Sequence, residues 1–433
     1  MQVAIFEDEL VNNFLPLTYT KAVFDLRVGR FTLVERISSL LGKVDLALVR
    51  SHLAEYYRLE RDLKTRVDDI EDDLLLVNAR YALDEETLLK LGELNAEKKG
   101  VVLVQGGYVI GAAIPYSIAK EAIGTHLDIL DFLNKVRGCL PILEVGDARA
   151  LLHLWDLIEF NSDVLAKDLG RTGRLLGEVD ETVKIFGRDK VTVEEKAVIE
   201  PYVVLDARGG PILVEEGAHV KTFAYVEGPA YIAKGTVIMP GARVRSGCSI
   251  GPVCRVGGEV EESIIHGYSN KYHDGFLGHA YVGEWVNLGA LTTNSDLKNT
   301  YGTVRMSMSG GIVDTKLTKI GSFIADFAKT SIGTLIYTGK RVGVASHLHG
   351  LVHEDVPSFT IYAKSLGCEP VELTLESAIK TATRMMERRG VSLSNNVKHL
   401  LERVFYLTRP ERERQGVRGQ QFKLAVKNIH EFT

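Results

Sequence analysis

Residues 191–208 read VTVEEK AVIEPY VVLDAR, and after GGP, residues 212–259 read ILVEEG AHVKTF AYVEGP AYIAKG TVIMPG ARVRSG CSIGPV CRVGGE. Written in sixes, the third residue of all eleven blocks is Val, Ile or Leu. At about one chance in four per position, chance produces such a run less than about once in a million trials. Each block opens with Ala, Thr, Cys, Val or Ile, and glycine or proline recurs near block ends. A short fixed period with one always-apolar slot marks a β-solenoid, whose coils stack and bury a continuous core. Its turns absorb glycine, which accounts for much of the count of 41. The period breaks at 258–280 and again at 293–318. It then resumes, because TLIYTGKRV (334–342) repeats the design of TVIMPGARV (236–244).

Upstream of the solenoid the rhythm differs. VAIF (3–6), VDLALV (44–49), LLLVNA (74–79) and VVLVQ (101–105) are short runs of buried-strand type, separated by helix-patterned segments such as FTLVERISSLLG and SHLAEYYRLERDL. That alternation predicts a mostly parallel α/β sheet. Residues 149–168 carry Leu151, Leu154, Trp155 and Ile158 at helical spacing, as a helix leaving the first domain would. The expected division is an α/β domain over 1–150, a linker helix over 151–190, a solenoid over 191–360 and a C-terminal helical extension over 361–433.

Composition narrows the function classes. A net charge of −5 argues against nucleic acid as the main partner, because phosphate binding shows as a basic excess. The four cysteines (Cys139, Cys248, Cys254 and Cys368) form no CxxC pair, which predicts a reducing compartment. MQVAIFEDEL has acids where a signal peptide needs basic residues, and no run approaches the roughly 20 apolar residues of a membrane span. A soluble cytoplasmic protein is expected.

Where the period breaks, the chain reads SNKYHDGFLGHAYVGEWVNLGALTTNSDLKN (269–299), gathering His273, Asn294 and Lys298. Excursions from a solenoid leave one face, often the binding face. His273, LGHA (277–280), VNLGA (286–290) and Asn294-Ser295-Asp296 resemble the histidine, LGDA, NIGAG and NYDG-type turn of the bifunctional GlmU enzymes. Those enzymes join a sugar-1-phosphate nucleotidyltransferase to an amino-sugar acetyltransferase. The resemblance implies a left-handed parallel β-helix of the hexapeptide acyltransferase type, a Rossmann-like nucleotidyltransferase fold at the N-terminus, and a homotrimer. It implies acetyl-CoA as acetyl donor, with His273 as general base and Asn294 holding the sugar or orienting the amine. Lys271, Lys298 and Asn287 would meet the sugar phosphate. Gly289, Gly321, Gly333 and Gly343 would let the pantetheine arm approach, and Arg412, Arg414 and Arg418 would meet coenzyme A phosphates. The family's tyrosine three residues after the histidine is Phe276 here, Met239 replaces an arginine, and a lysine of the next coil falls near Gly257.

In the first domain FLPLT, Lys21 and the later LVERI helix match the second half of the nucleotidyltransferase pattern, but Glu7, Asp8 and Glu9 replace its glycine-rich loop. Asn78 stands where the family has Gly-Asp. Mg²⁺ would then rest on Asp8 and Asn78, with Lys21, Arg27 and Arg80 as cations for a sugar nucleotide. Two other readings stay open from the sequence: a non-catalytic trimeric scaffold for nucleotide sugars, and a zinc site of γ-carbonic-anhydrase type built on His266, His273 and His279.

Overall fold

The computed structural model describes residues 1–97, 99–123, 128–170, 173–308 and 310–419. It contains two compact units, one of residues 1–156 with 394–400, the other of residues 157–393 with the chain after 400.

The first unit is built on a six-stranded sheet in the order Leu46–Leu48, Gln2–Phe6, Leu74–Asn78, Tyr108–Ile114, Val101–Gln105, Ile142–Glu144. The first three strands run parallel, as expected. Tyr108–Ile114 runs antiparallel to both of its neighbours, so the sheet is mixed rather than mostly parallel. The cause is local. Gly106 (φ 55°) and Gly107 (φ 88°) link Gln105 to its partner Tyr108, and a two-residue turn with positive φ at both positions folds a strand straight back. Thr32 starts the helix Leu33–Leu41 with a capping box: its hydroxyl accepts from Glu35 N, while its own N–H donates to the Glu35 carboxylate at 2.7 Å.

The second unit opens on a short helix, Asn161–Leu169. Of the helix expected over 149–168 only the second half forms, as Asp156–Glu159 and Asn161–Leu169. The Asp156 carboxylate accepts from the backbone of Leu152 (2.6 Å) and His153 (2.8 Å), which holds a turn there instead. Solenoid strands begin at Arg174–Leu175, earlier than the expected 191, and continue to Thr360–Tyr362. Three stacks of parallel strands wind around one interior, the longest with nine strands. All eleven apolar slots, from Val193 through Val256, are at most 1% exposed and belong to one core. Chain reversal between faces falls on residues with positive φ spaced six apart, such as Gly235, Gly241, Gly247 and Val253, or Phe327, Gly333, Gly339 and Ala345. That left-handed slot explains the recurrence of glycine at block ends.

Two interior ladders change chemistry where the sequence period breaks. On one face Val179, Ile199, Val220, Ile238 and Val256 stack in register, and the next rung is Lys271. On another, Asn294 lies in register with Ile336 and so with Val352. After the solenoid, Val371–Glu372 pairs antiparallel with Thr360–Tyr362, followed by the helices Leu375–Glu387, Asn395–Leu407 and Arg409–Arg414. Among the described residues, no helix is long and apolar enough to cross a membrane.

Candidate active site

His273 lies in the turn after the Lys271 rung, exposed, its ring tilted against Tyr272 at 4.9 Å between centroids. Among the described residues no side-chain hydrogen bond ties the imidazole down. Its neighbours in sequence are engaged elsewhere. Lys271 turns inward and is 2% exposed; its ammonium donates to the carbonyls of Gly257 (3.1 Å) and His273 (2.6 Å). Burial lowers its pKa to about 8 against a small opposing pull from Asp274. Gly257 and Gly258 make the space: a Cβ on Gly258 would stand 2.8 Å from the Lys271 nitrogen. Lys271 is therefore a rung of the core and does not face a sugar phosphate.

Asn294 is likewise structural. Its carbonyl accepts from Gly278 N and its amide donates to Gly278 O, both at 2.9 Å, a two-bond clasp on the preceding coil. Both ends of the side chain are used, so it does not present itself to an amine. Lys298 donates to Thr303 O at 2.6 Å, tying down the base of the excursion that carries the hairpin Arg305–Met308 and Gly311–Asp314. Gly289 and Gly321 are small because the next coil is close. A Cβ at Gly321 would stand 1.9 Å from Gly278 O, and one at Gly289 2.7 Å from the Ser331 backbone. Gly343 meets Ser358 in the same way, at 2.2 Å. Gly333 is a left-handed turn residue (φ 65°). None of the four is held open for a pantetheine arm. Arg412 is buried, bonded to Glu372, Thr408 and the Phe405 carbonyl, and stacked on the Phe405 ring at 4.4 Å. Arg414 and Arg418 are exposed. Asn287 faces outward on a polar ladder, hydrogen-bonded to Asn270 at 3.2 Å.

The sequence reading missed a carboxylate–imidazole pair. His279 Nδ1 lies 2.8 Å from Asp296 Oδ2, the two side chains 15% and 12% exposed. Although burial opposes it, the bond and charge of His279 hold the Asp296 carboxyl below its ordinary range. Such a carboxylate fixes the ring's tautomer and leaves Nε2 as the acceptor. The signal was a coil-length spacing of 17 residues, visible only once the coils are aligned. The three histidines of the zinc alternative do not converge: His266 Nδ1 meets the Tyr281 hydroxyl (3.1 Å) while His279 meets Asp296. Among the described residues no group of three His, Cys, Asp or Glu side chains could hold a metal.

In the first unit the acids at the end of the first strand are neutralised by arginines. Glu7 binds Arg50 through both oxygens (3.0 and 3.1 Å) and accepts from Val23 N at 2.9 Å. Asp8 binds Arg80 through both oxygens (2.8 and 2.5 Å), and Arg80 is fully buried. Asn78 turns its amide nitrogen, not its oxygen, to Asp8 (2.8 Å) and to Val109 O (2.9 Å). Mg²⁺ needs oxygens converging on it. This pair offers one carboxylate already matched to a guanidinium, and Asp8 and Asn78 do not fit the ion. Arg80 is thereby a structural partner rather than a cation for substrate. Lys21 and Arg27 are buried, and Arg27 donates to the carbonyl of Arg30 in its own turn.

Residues 3–174 match a family model for sugar nucleotidyl transferases. A bifunctional protein GlmU of Jannaschia sp. (strain CCS1) is 40% identical over 104 residues, covering 23% of this chain and 22% of that protein. The bifunctional protein GlmU of Nitratidesulfovibrio vulgaris (strain DP4) is 29% identical over 222 residues, 46% of this chain and 45% of the relative. A bifunctional sugar-1-phosphate nucleotidylyltransferase/acetyltransferase of Sulfurisphaera tokodaii is 27% identical over 240 residues, 53% of this chain and 57% of the relative. The chain thus spans from about a fifth to under three fifths of the length of these relatives. The first unit is thus similar to sugar nucleotidyl transferases, and the chain shares partial-length stretches with bifunctional GlmU proteins.

Proposed function

We propose that the solenoid transfers an acetyl group from acetyl-CoA to the amine of an amino sugar phosphate. The amine nitrogen attacks the thioester carbonyl, a base takes the ammonium proton, and the coenzyme thiolate leaves and is reprotonated. Unperturbed imidazole titrates near the working pH such a base requires. The observation that carries the reading is His273, an exposed imidazole with no competing side-chain hydrogen bond, on the coil where the apolar period stops. A second assignment within the same reaction rests on His279, whose ring Asp296 already orients.

The test is thiol release from acetyl-CoA with a panel of amino sugar phosphates. Loss of the base lowers turnover by roughly 10²–10⁴-fold. His273→Ala is expected to show that loss and His279→Ala to keep most activity; the reverse pattern moves the role to the His279–Asp296 pair. No thiol release by the wild-type protein with any acceptor would leave a nucleotide-sugar-binding scaffold. In the first unit, the matched Asp8–Arg80 pair leaves no free carboxylate for Mg²⁺ and supports a unit that does not carry out metal-assisted nucleotidyl transfer. Pyrophosphate release from a nucleoside triphosphate and a sugar 1-phosphate in Mg²⁺ would refute that part.

A further inference from the structure

The imidazole of His273 carries no side-chain hydrogen bond among the described residues, so its backbone alone decides where the ring stands. That backbone is the turn 272–275, pressed between two neighbouring coils. A Cβ on Gly257 would stand 2.1 Å from Tyr272 O, and one on Gly275 would stand 2.1 Å from Thr292 O. Three successive carbonyls of the turn are bonded, but not by the same kind of donor. Asp274 O accepts from Leu291 N at 2.9 Å and Gly275 O from Glu259 N at 3.1 Å, both ordinary bonds between coils. His273 O accepts from the Lys271 ammonium at 2.6 Å, and among the described residues no backbone N–H reaches it.

Lys271 is an unusual rung. Val256 precedes it in the ladder and, because Asn270 pairs with Asn287, Leu288 follows it; both are core residues. Packing alone would be served by an aliphatic side chain, since an ammonium taken out of water costs stability unless its donors are met. The fall of its pKa to about 8 reflects that cost. The slot is shaped for the charge. Gly258 passes so close that a Cβ there would stand 2.8 Å from Nζ, and the second bond of the ammonium goes to Gly257 O at 3.1 Å. One nitrogen thereby ties a carbonyl of the preceding coil to the carbonyl of the residue that bears the imidazole. Bonds from an ionised donor are roughly twice as strong as neutral ones.

We propose that Lys271 is the positioning residue for His273: from inside the prism its ammonium clamps Gly257 O to His273 O and so holds the imidazole at the reacting amine. This rests on the reading of His273 as the base. Lys271 touches no substrate, and its effect passes through the histidine. A misplacement of about 1 Å at a reacting group is enough for a loss on the order of a hundredfold.

Thiol release and amide hydrogen exchange of the full-length protein test this in Lys271→Met, His273→Ala and the double variant. Methionine fills the slot without a donor. In Lys271→Met, kcat is expected to fall about 10- to 100-fold, with KM for acetyl-CoA and acceptor within about twofold. The amides of residues 272–276 should exchange about tenfold faster while the other coils keep their rates. The double variant should be no slower than His273→Ala, because a residue acting through another then has nothing to position. Lys271→Gln keeps N–H donors and is expected to fall between wild type and Lys271→Met; it carries the test should the methionine variant not fold. Unchanged exchange in the turn, unchanged kcat, or losses that multiply in the double variant would overturn the proposal. Failure of the underlying reading looks different: no thiol release by the wild type, or full turnover in His273→Ala, removes the base and the positioning role together while Lys271 is untouched.

Discussion

At the scale of single residues, the polar side chains that interrupt the hexad pattern divide into those that face out and those that replace a core rung. His273 faces out; Lys271 and Asn294 are core rungs whose polar atoms are spent on neighbouring carbonyls and amides. Lys271 makes a prediction about pH. Burial holds its folded pKa near 8, below the ordinary 10.5. Between those values the unfolded chain keeps a proton that the folded chain has lost, so stability rises with pH across that window. A span of two to three pH units is worth roughly 3 kcal/mol. Lys329, also lowered to about 8 by burial, acts in the same direction. Guanidinium unfolding of wild type and Lys271→Met from pH 7.5 to 11 isolates the Lys271 share. The expected result is a wild-type curve that climbs relative to the variant between about 8 and 10.5; parallel curves would show that the ammonium is not buried as described. Asp8 and Arg80 illustrate the opposite limit, where each of two unlike charges finds its match and neither remains for a ligand.

At the scale of elements, each strand of the solenoid is two to four residues long and would not persist alone. Stability comes from stacking, so the contribution of a rung depends on which way it points. Ile238 is fully buried in the core, and Ile238→Ala should cost about 2–4 kcal/mol. Arg243, five residues on, points outward to Glu259 at 3.0 Å with its side chain 57% exposed. Arg243→Ala should cost less than about 1 kcal/mol. Urea unfolding of the two variants measures the contrast, and similar losses would contradict the assigned faces. The same logic marks the limits of legibility. The inward slots were readable from the sequence because apolar residues there have no alternative use. The antiparallel strand Tyr108–Ile114 was missed although Gly106-Gly107 announced its turn. Its run of small residues, GAAI, lacks the bulky β-branched signal by which its neighbours were recognised.

At the scale of the whole molecule, some of the exposed apolar side chains fall on adjoining coils. Leu291 (60% exposed) and Ile332 (78%) sit in stacked turns, joined by Gly333 N to Ala290 O at 2.8 Å. Leu335 and Tyr337 follow, 48% and 51% exposed. Neighbouring exposed apolar side chains favour a contact surface, and the homotrimer that the sequence resemblance implies is the assembly tested on it. Light scattering of the full-length protein should give three times the 47.8 kDa of one chain; the mass of a single chain would refute the trimer.

The sequence by itself determined the coil. A six-residue period with one aliphatic slot admits few folds, because every sixth residue must enter the same interior and every turn must tolerate positive φ. It also located the coils on which polar residues collect, since departures from a strict period are conspicuous. What it could not determine was the direction and company of those residues. Lys271 and His273 are two apart, yet one ends inside the prism and the other in solvent. His279 and Asp296 meet only because one coil brings positions 17 apart into register. Arg389 reaches the Asn270 carbonyl only because a helix beyond residue 374 lies over strands that begin a hundred residues earlier. Such contacts depend on where the chain returns in space, and that was decided only by the packing of coils and helix against one another.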